Sequence, residues 1–88
     1  MAGDGVMELK ESDLTPAQLD DLLHALGKTQ TPRRAQMGWR NYYYTGPADL
    51  PNWNALVAAG WAVQNTRNAE VFHVSKEGMK ALGVTPKP

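Results

Sequence analysis

Residues 56–78, LVAAGWAVQNTRNAEVFHVSKEG, decide the fold that this sequence predicts. The spacing of their apolar side chains changes at Gly60: before it they follow one stripe of a helix, and after it they alternate with polar residues as in strands. The alternation covers 61–65 and resumes over 72–74, with a polar connection at 66–69 between them. The stretch therefore predicts the end of one helix, an antiparallel β-hairpin and the start of another helix.

The helix that leads into this hairpin is predicted over 51–59. Its stripe includes Trp53 and Leu56, which recur at helical spacing. Gly60 can take the left-handed conformation of a Schellman ending, in which Trp61 rests on Leu56 one turn back. The helix should therefore end at a defined point and pass directly into the first strand of the hairpin.

Two further helices have clear start signals. Thr15-Pro16-Ala17-Gln18 combines a capping box with a proline at the first helical position, and leucines at one-face spacing extend the prediction to 16–26. Gly27 follows as the helix terminator. Ser75 supplies an N-cap hydroxyl for a last helix over 76–82.

The segment between the first two of these helices is predicted in two parts. A threonine–proline pair repeats the start signal and predicts a shorter helix over 32–37, which a glycine interrupts. The aromatic-rich stretch 39–45 favours an extended conformation. Because side chains alternate across a strand, Tyr43 should point opposite to Tyr42 and Tyr44, so at least one ring should face outward.

Length and composition limit the chain to one small domain. It has 88 residues, of which 42% are hydrophobic and 20% charged, so it can form one modest core. We expect an α+β domain over 14–83 with three to four short helices and a small antiparallel hairpin. Residues 1–13 are expected to be a loose arm, in which 6–9 either stays irregular or adds an edge strand, and residues 84–88 a disordered tail.

Several classes of protein are excluded or disfavoured. The chain has no cysteine, which removes disulfides and thiolate chemistry, and its two histidines are too few for an ordinary zinc site. Its longest apolar run, residues 55–63, is nine residues, whereas a membrane span needs about 20. No secretory signal begins the sequence, and Ser75 is better explained as a helix cap than as a nucleophile. We therefore expect a cytoplasmic protein that is not an enzyme and uses neither cofactor nor metal.

Charge is unevenly distributed although the formal net charge is zero. Residues 1–25 hold six acids against one lysine, whereas residues 28–67 are net +4. Arginine recognises phosphate, exposed tyrosine stacks on bases, and asparagine can read adenine. The candidate nucleic-acid-binding residues are Arg33, Arg34, Arg40, Asn41, Tyr43, Asn52, Asn54 and Arg67. In the alternative interpretation, Trp39, Tyr42 and Tyr44 fill the core while the arginines border it.

Residues 49–82 resemble the second half of winged-helix transcription regulators. The likeness is carried by Leu56-Val57-Ala58-Ala59-Gly60-Trp61, by the hairpin, and by Phe72-His73-Val74-Ser75-Lys76-Glu77-Gly78. In that family a recognition helix ends in a glycine, two strands make the wing, and a capped helix follows. The resemblance implies a winged-helix-like fold and double-stranded DNA as the partner.

Two functional hypotheses from different classes follow. Residues 15–83 are similar to small bacteriophage- and prophage-encoded proteins, a likeness that implies an origin and no activity. The first hypothesis is a phage-type winged-helix-like module that binds DNA through its basic and aromatic segment and its wing. However, the helix over 51–59 holds no basic residue and is rich in alanine. The alternative is therefore a protein-interaction or assembly module that uses this helix to contact another protein or a second copy of itself.

Overall fold

The computed structural model of the protein describes residues 8–28 and 33–86. Within these ranges the chain forms an α+β fold, which confirms the predicted α+β class. Its helices are α1 (Pro16–Ala25), α2 (Leu50–Ala58) and α3 (Lys76–Leu82), its strands are β1 (Tyr43–Tyr44), β2 (Ala62–Gln64) and β3 (Val71–Val74), and 3₁₀ turns cover Glu11–Asp13 and Arg34–Gln36. No helix within the described ranges combines the length and apolarity needed to cross a bilayer.

The strands form one antiparallel sheet in the order β1-β3-β2. The β2–β3 pairing, with Ala62 opposite Val74 and Gln64 opposite Phe72, confirms the predicted hairpin. On the other side of β3, Tyr43 lies opposite Phe72. The extended segment predicted over 39–45 therefore supplies a third strand to the sheet.

The local signals at the helix ends act as predicted. The Thr15 hydroxyl accepts a hydrogen bond from the Gln18 N–H at 3.1 Å, and the Gln18 side chain accepts one from the Thr15 N–H at 2.9 Å, which completes the capping box. At the end of α2, Gly60 has a φ of 89°. The Trp61 N–H then donates to the Leu56 carbonyl at 2.9 Å, as the Schellman ending requires.

The core lies between the helices and the inner face of the sheet. The predicted sharing of one interior by Trp53, Leu56, Trp61 and Phe72 is confirmed, since each is at most 2% exposed. The other buried apolar residues are Leu22, Leu23, Ala25, Leu26, Met37, Ala62, Val74, Met79, Leu82 and Val84. Val84 lies one residue beyond the predicted domain boundary, yet it is buried and its N–H donates to the Met79 carbonyl at 3.0 Å.

The helix predicted over 32–37 is wrong, because within its described part, residues 33–37, only the single 3₁₀ turn Arg34–Gln36 forms. Met37 turns into the core, and the Gly38 N–H donates to the Leu26 carbonyl at the end of α1. These two tertiary contacts end the helical geometry after one turn.

The predicted arm is described only from Glu8, so residues 6 and 7 of the proposed edge strand lie outside the described residues. Leu9 packs against the core.

Candidate nucleic-acid interface

Arg34 joins three distant parts of the chain. Its Nη1 donates to the Glu11 carboxylate at 2.5 Å and to the Leu82 carbonyl at 3.2 Å, so the guanidinium links both 3₁₀ turns to the end of α3. An arginine engaged in this way stabilises the fold and has little freedom to move to a phosphate. The replacement of all candidate arginines at once would therefore disturb the fold together with any binding surface.

Arg40 lies at the carboxyl end of α1, between two aromatic rings. Its Nη2 donates to the His24 carbonyl at 2.5 Å in the last turn of the helix, where a positive charge is favourable. The guanidinium carbon is 5.6 Å from the centre of the Trp39 ring and 5.1 Å from that of Tyr42, which are cation–π distances. The helix end therefore holds this charge in place beside two rings.

Asn41 is engaged inside the fold. Its side-chain amide accepts from the Val74 N–H at 2.7 Å and donates to the Val74 carbonyl at 2.9 Å. The Asn41 carbonyl accepts from His73 Nδ1 at 2.7 Å, which leaves His73 Nε2 to accept from the Asn65 amide at 3.0 Å when the ring is neutral. The Asn41 side chain thus continues the hydrogen bonding of β3 beyond the end of β1.

Tyr43 and Asn52 also make internal contacts. The Tyr43 ring packs 4.9 Å from that of Trp53, and its hydroxyl donates to Asp49 at 2.9 Å. Burial, this hydrogen bond and nearby carboxylates raise the pKa of Tyr43 to about 12. The Asn52 amide donates to Asp21 at 2.9 Å. Burial raises the pKa of this Asp21 carboxyl, and the Asn52 hydrogen bond opposes the rise.

The remaining candidates, Arg33, Asn54 and Arg67, are exposed. Arg67 lies in the connection between β2 and β3, which Asn65 shapes by accepting from the Arg67 and Asn68 N–H groups at 2.8 and 2.9 Å. This Asx turn fixes the backbone at the hairpin tip and leaves the Arg67 side chain on the surface. The structure therefore separates the eight candidates into exposed residues and residues that hold the fold.

The aromatic residues missing from the candidate set form the most exposed aromatic surface of the described chain. Trp39, Tyr42 and Tyr44 are 43%, 52% and 63% exposed, so the alternative in which they fill the core is wrong. The predicted alternation is confirmed. Tyr43 lies on the inner side, where it packs against Trp53, and Tyr42 and Tyr44 lie on the outer side. We call Trp39, Arg40, Tyr42 and Tyr44 the aromatic face.

One cationic side chain belongs to this face, and the connection that carries a second one begins near its other end. Arg40 belongs to its Trp39–Tyr42 end. At the other end, Tyr44 pairs with Val71. The Val71 carbonyl accepts a hydrogen bond from the Asn65 N–H, at the base of the hairpin connection that carries Arg67. The Tyr44 hydroxyl also donates to Glu70 at 3.2 Å, which orients the ring. Exposed rings with the Arg40 guanidinium among them suit the bases and phosphates of a nucleic acid.

Within residues 8–28 and 33–86, no three histidine or carboxylate side chains come together as metal ligands. Comparisons with protein-family models, with curated proteins and with solved structures give no significant match for this chain.

Proposed function

We propose that this domain is a nucleic-acid-binding module and that it binds a single strand on the aromatic face. The observation that carries the proposal is the exposure of Trp39, Tyr42 and Tyr44 around the Arg40 guanidinium. Burying apolar aromatic surface is favourable by roughly 25 cal/mol of free energy per Å², and surface that stays in water does not gain it. A base that stacks on such a ring recovers this free energy, by about 1–3 kcal/mol per base.

The geometry favours unstacked bases. Tyr42 and Tyr44 are two residues apart on one strand side, which separates their side chains by about 6.6 Å, roughly twice the 3.4 Å step between stacked bases. Each ring therefore has room for its own base. Such rings reach the faces of bases in a single strand, whereas in a duplex those faces are covered by neighbouring base pairs.

The helix before the hairpin gives little support for duplex recognition. α2 carries no basic side chain, and Asn52 is already bonded to Asp21, which leaves Asn54 as the exposed candidate for reading bases. The winged-helix likeness remains part of the proposal as a likeness of architecture. It is supported by the glycine end of α2, the β2–β3 hairpin and the Ser75-capped α3.

The test is a titration of the protein with single-stranded oligothymidine and with a duplex of the same length, at several salt concentrations. We expect the single strand to bind more tightly, with an affinity that falls with salt by about 0.7 per phosphate contacted on a logarithmic scale. Replacing Tyr42 or Tyr44 with alanine should weaken binding by about 1–3 kcal/mol, roughly 5- to 150-fold. Tyr44→Phe should retain most of the affinity, because the ring remains.

Two matched controls separate the surfaces. Arg67→Gln should weaken binding modestly and lower the salt slope, whereas Asn54→Ala on α2 should leave single-strand affinity unchanged. Tighter binding of the duplex together with sensitivity to Asn54→Ala would instead identify α2 as the reading element. No binding of either nucleic acid at low salt, or full affinity in the Tyr42→Ala/Tyr44→Ala variant, would refute the proposal.

A further inference from the structure

An open apolar groove of about 580 Å³ lies on a part of the surface that shares no residue with the aromatic face. Its floor includes Leu9, Leu14, Leu56 and Trp61, which are contributed by the segment before α1, by α2 and by the start of the hairpin. Leu9 lies close to the end of α2, since its Cδ2 would be 3.8 Å from a Cβ built on Gly60. A concave apolar surface of this size is within the range that proteins use for ligands and partner side chains.

The charged residues described on the groove all have the same sign. Glu8, Asp13 and Glu77 lie on its rim, and no lysine or arginine is among the described residues that line it. The carboxyl end of α2, at Ala58, also faces the groove, and a helix carries a partial negative charge at this end. The groove therefore attracts a cationic group and repels an anionic one, which separates its ligand from nucleic acid.

The secondary structure of the occupant follows from what surrounds the groove. None of the paired strand residues lines it, so the sheet offers no edge there to which an extended peptide could add its own hydrogen bonds. A buried backbone must satisfy its own polar groups, and a helix does so internally. An amphipathic helix can place its apolar side chains in the groove while basic side chains beside them meet the rim.

We propose that this acidic groove docks an amphipathic helix of a partner protein, with leucine-type side chains on its inner face and lysine or arginine flanking them. The interaction is independent of nucleic-acid binding, because the two surfaces use different residues. The domain would then hold a basic helical segment of one protein and a single strand of nucleic acid on separate faces.

The test uses the full chain and three synthetic peptides of equal length: an amphipathic leucine–lysine helix, the same design with glutamate in place of lysine, and a leucine–lysine sequence scrambled to destroy its amphipathic face. Backbone amide shifts measured during each titration report the affinity and the surface contacted. We expect the first peptide to bind with shifts centred on 8–14 and 56–61, and the other two to bind at least about tenfold more weakly.

Two variants test the charge and the space separately. Glu8→Gln/Asp13→Asn/Glu77→Gln should weaken binding of the leucine–lysine helix at least about tenfold, whereas neutralising an acid away from the groove, Asp20→Asn, should change it less than about twofold. Ala58→Arg places a bulky cation at the exposed end of α2, where arginine is a good helix former, and should also block the peptide. A shift of the oligothymidine affinity is not expected in any of these variants.

Each result bears on the proposal. Equal binding of the glutamate peptide, or shifts located away from the groove, would overturn it, as would an unaltered affinity in the triple variant. Failure of the leucine–lysine helix to bind while oligothymidine still binds would reject the groove and leave the nucleic-acid proposal standing. Peptide binding without oligothymidine binding would reject the nucleic-acid proposal and leave the groove proposal standing.

Discussion

Neighbouring residues of the same type have opposite roles in this protein. Arg34 bonds to Glu11 and Leu82, whereas the Arg33 side chain next to it is exposed. Tyr43 packs against Trp53, whereas Tyr44 is 63% exposed. Residue type therefore identifies the chemistry available, and the position of the backbone decides whether that chemistry serves the fold or a ligand.

The first prediction concerns the alkaline stability of the fold. Tyr43 has a pKa of about 12 in the folded protein against an ordinary value of 10.0. Between these pH values the folded protein retains a proton on Tyr43 that the unfolded chain has released. The free energy of unfolding should therefore fall as the pH rises from 10 to 12, with the full contribution of this residue present below pH 10.

Tyr43→Phe is the matched variant, because it keeps the ring beside Trp53 and removes the titrating hydroxyl. Its denaturant unfolding should depend less steeply on pH between 10 and 12 than that of the parent protein. The tyrosinate absorbance of the folded parent should likewise show a titration that is missing in the variant. A parallel pH dependence of the two proteins would show that another group is responsible.

At the scale of elements, the junction of α2, β2 and α3 depends on close backbone packing. The Ser75 hydroxyl accepts from the Gly78 N–H at 2.9 Å and donates to the Gly60 carbonyl at 2.7 Å, so one side chain caps α3 and joins it to the end of α2. Gly78 lies against the backbone just before β2: a Cβ at this position would be 2.7 Å from the Trp61 carbonyl oxygen. Glycine allows the first turn of α3 to approach that backbone.

The second prediction contrasts Gly78→Ala with Gly46→Ala. Alanine is favoured over glycine in a helix by about 1 kcal/mol, yet Gly78→Ala should lower the free energy of unfolding by about 1–3 kcal/mol, because the added methyl group overlaps a backbone oxygen that cannot move alone. A Cβ on Gly46 would meet nothing within 4 Å, so Gly46→Ala should be neutral or stabilise the fold by up to about 1 kcal/mol.

Urea unfolding of both variants measures the contrast. Amide shifts around Trp61 and Gly78 show whether β2 and α3 have moved apart in the first variant. Equal or greater stability of Gly78→Ala would mean that the junction relaxes freely and is not tightly packed.

At the scale of the whole molecule, Arg34 connects the beginning and the end of the described chain. Glu11 precedes it by 23 residues and Leu82 follows it by 48. The two side chains of the ion pair are each about one-third exposed, so their charge attraction contributes little to stability. The contribution of Arg34 comes mainly from joining three segments of the chain.

The third prediction uses the two adjacent arginines as a matched pair. Arg34→Gln should destabilise the fold by about 1–2 kcal/mol and accelerate amide hydrogen exchange in the Glu11–Asp13 turn and at the end of α3. Arg33→Gln removes the same charge from an exposed position and should leave both measurements unchanged. Equal effects of the two substitutions would assign the change to net charge and not to the linkage.

Elements whose signals are local can be predicted from the amino-acid sequence. Each of these signals involves residues a few positions apart: the capping box at Thr15, the Schellman ending at Gly60 and the alternation through the hairpin. They therefore depend on the local sequence alone. The same is true of the alternation of Tyr42, Tyr43 and Tyr44, which follows from strand geometry alone. These features, together with the α+β class and the identity of the main core residues, are predicted and found.

Which side of that alternation is buried, and which polar groups bond inside the fold, depends on contacts between distant parts of the chain. Asn41 bonds to Val74, 33 residues away, and the Asn52 amide bonds to Asp21 across two helices. The sequence carries no local signal for such pairings, because a side-chain hydrogen bond depends on positions that exist only after the chain has folded. For the same reason, core contacts of Met37 replace the helix predicted over 32–37, and the aromatic face consists mainly of residues that the alternative interpretation places in the core.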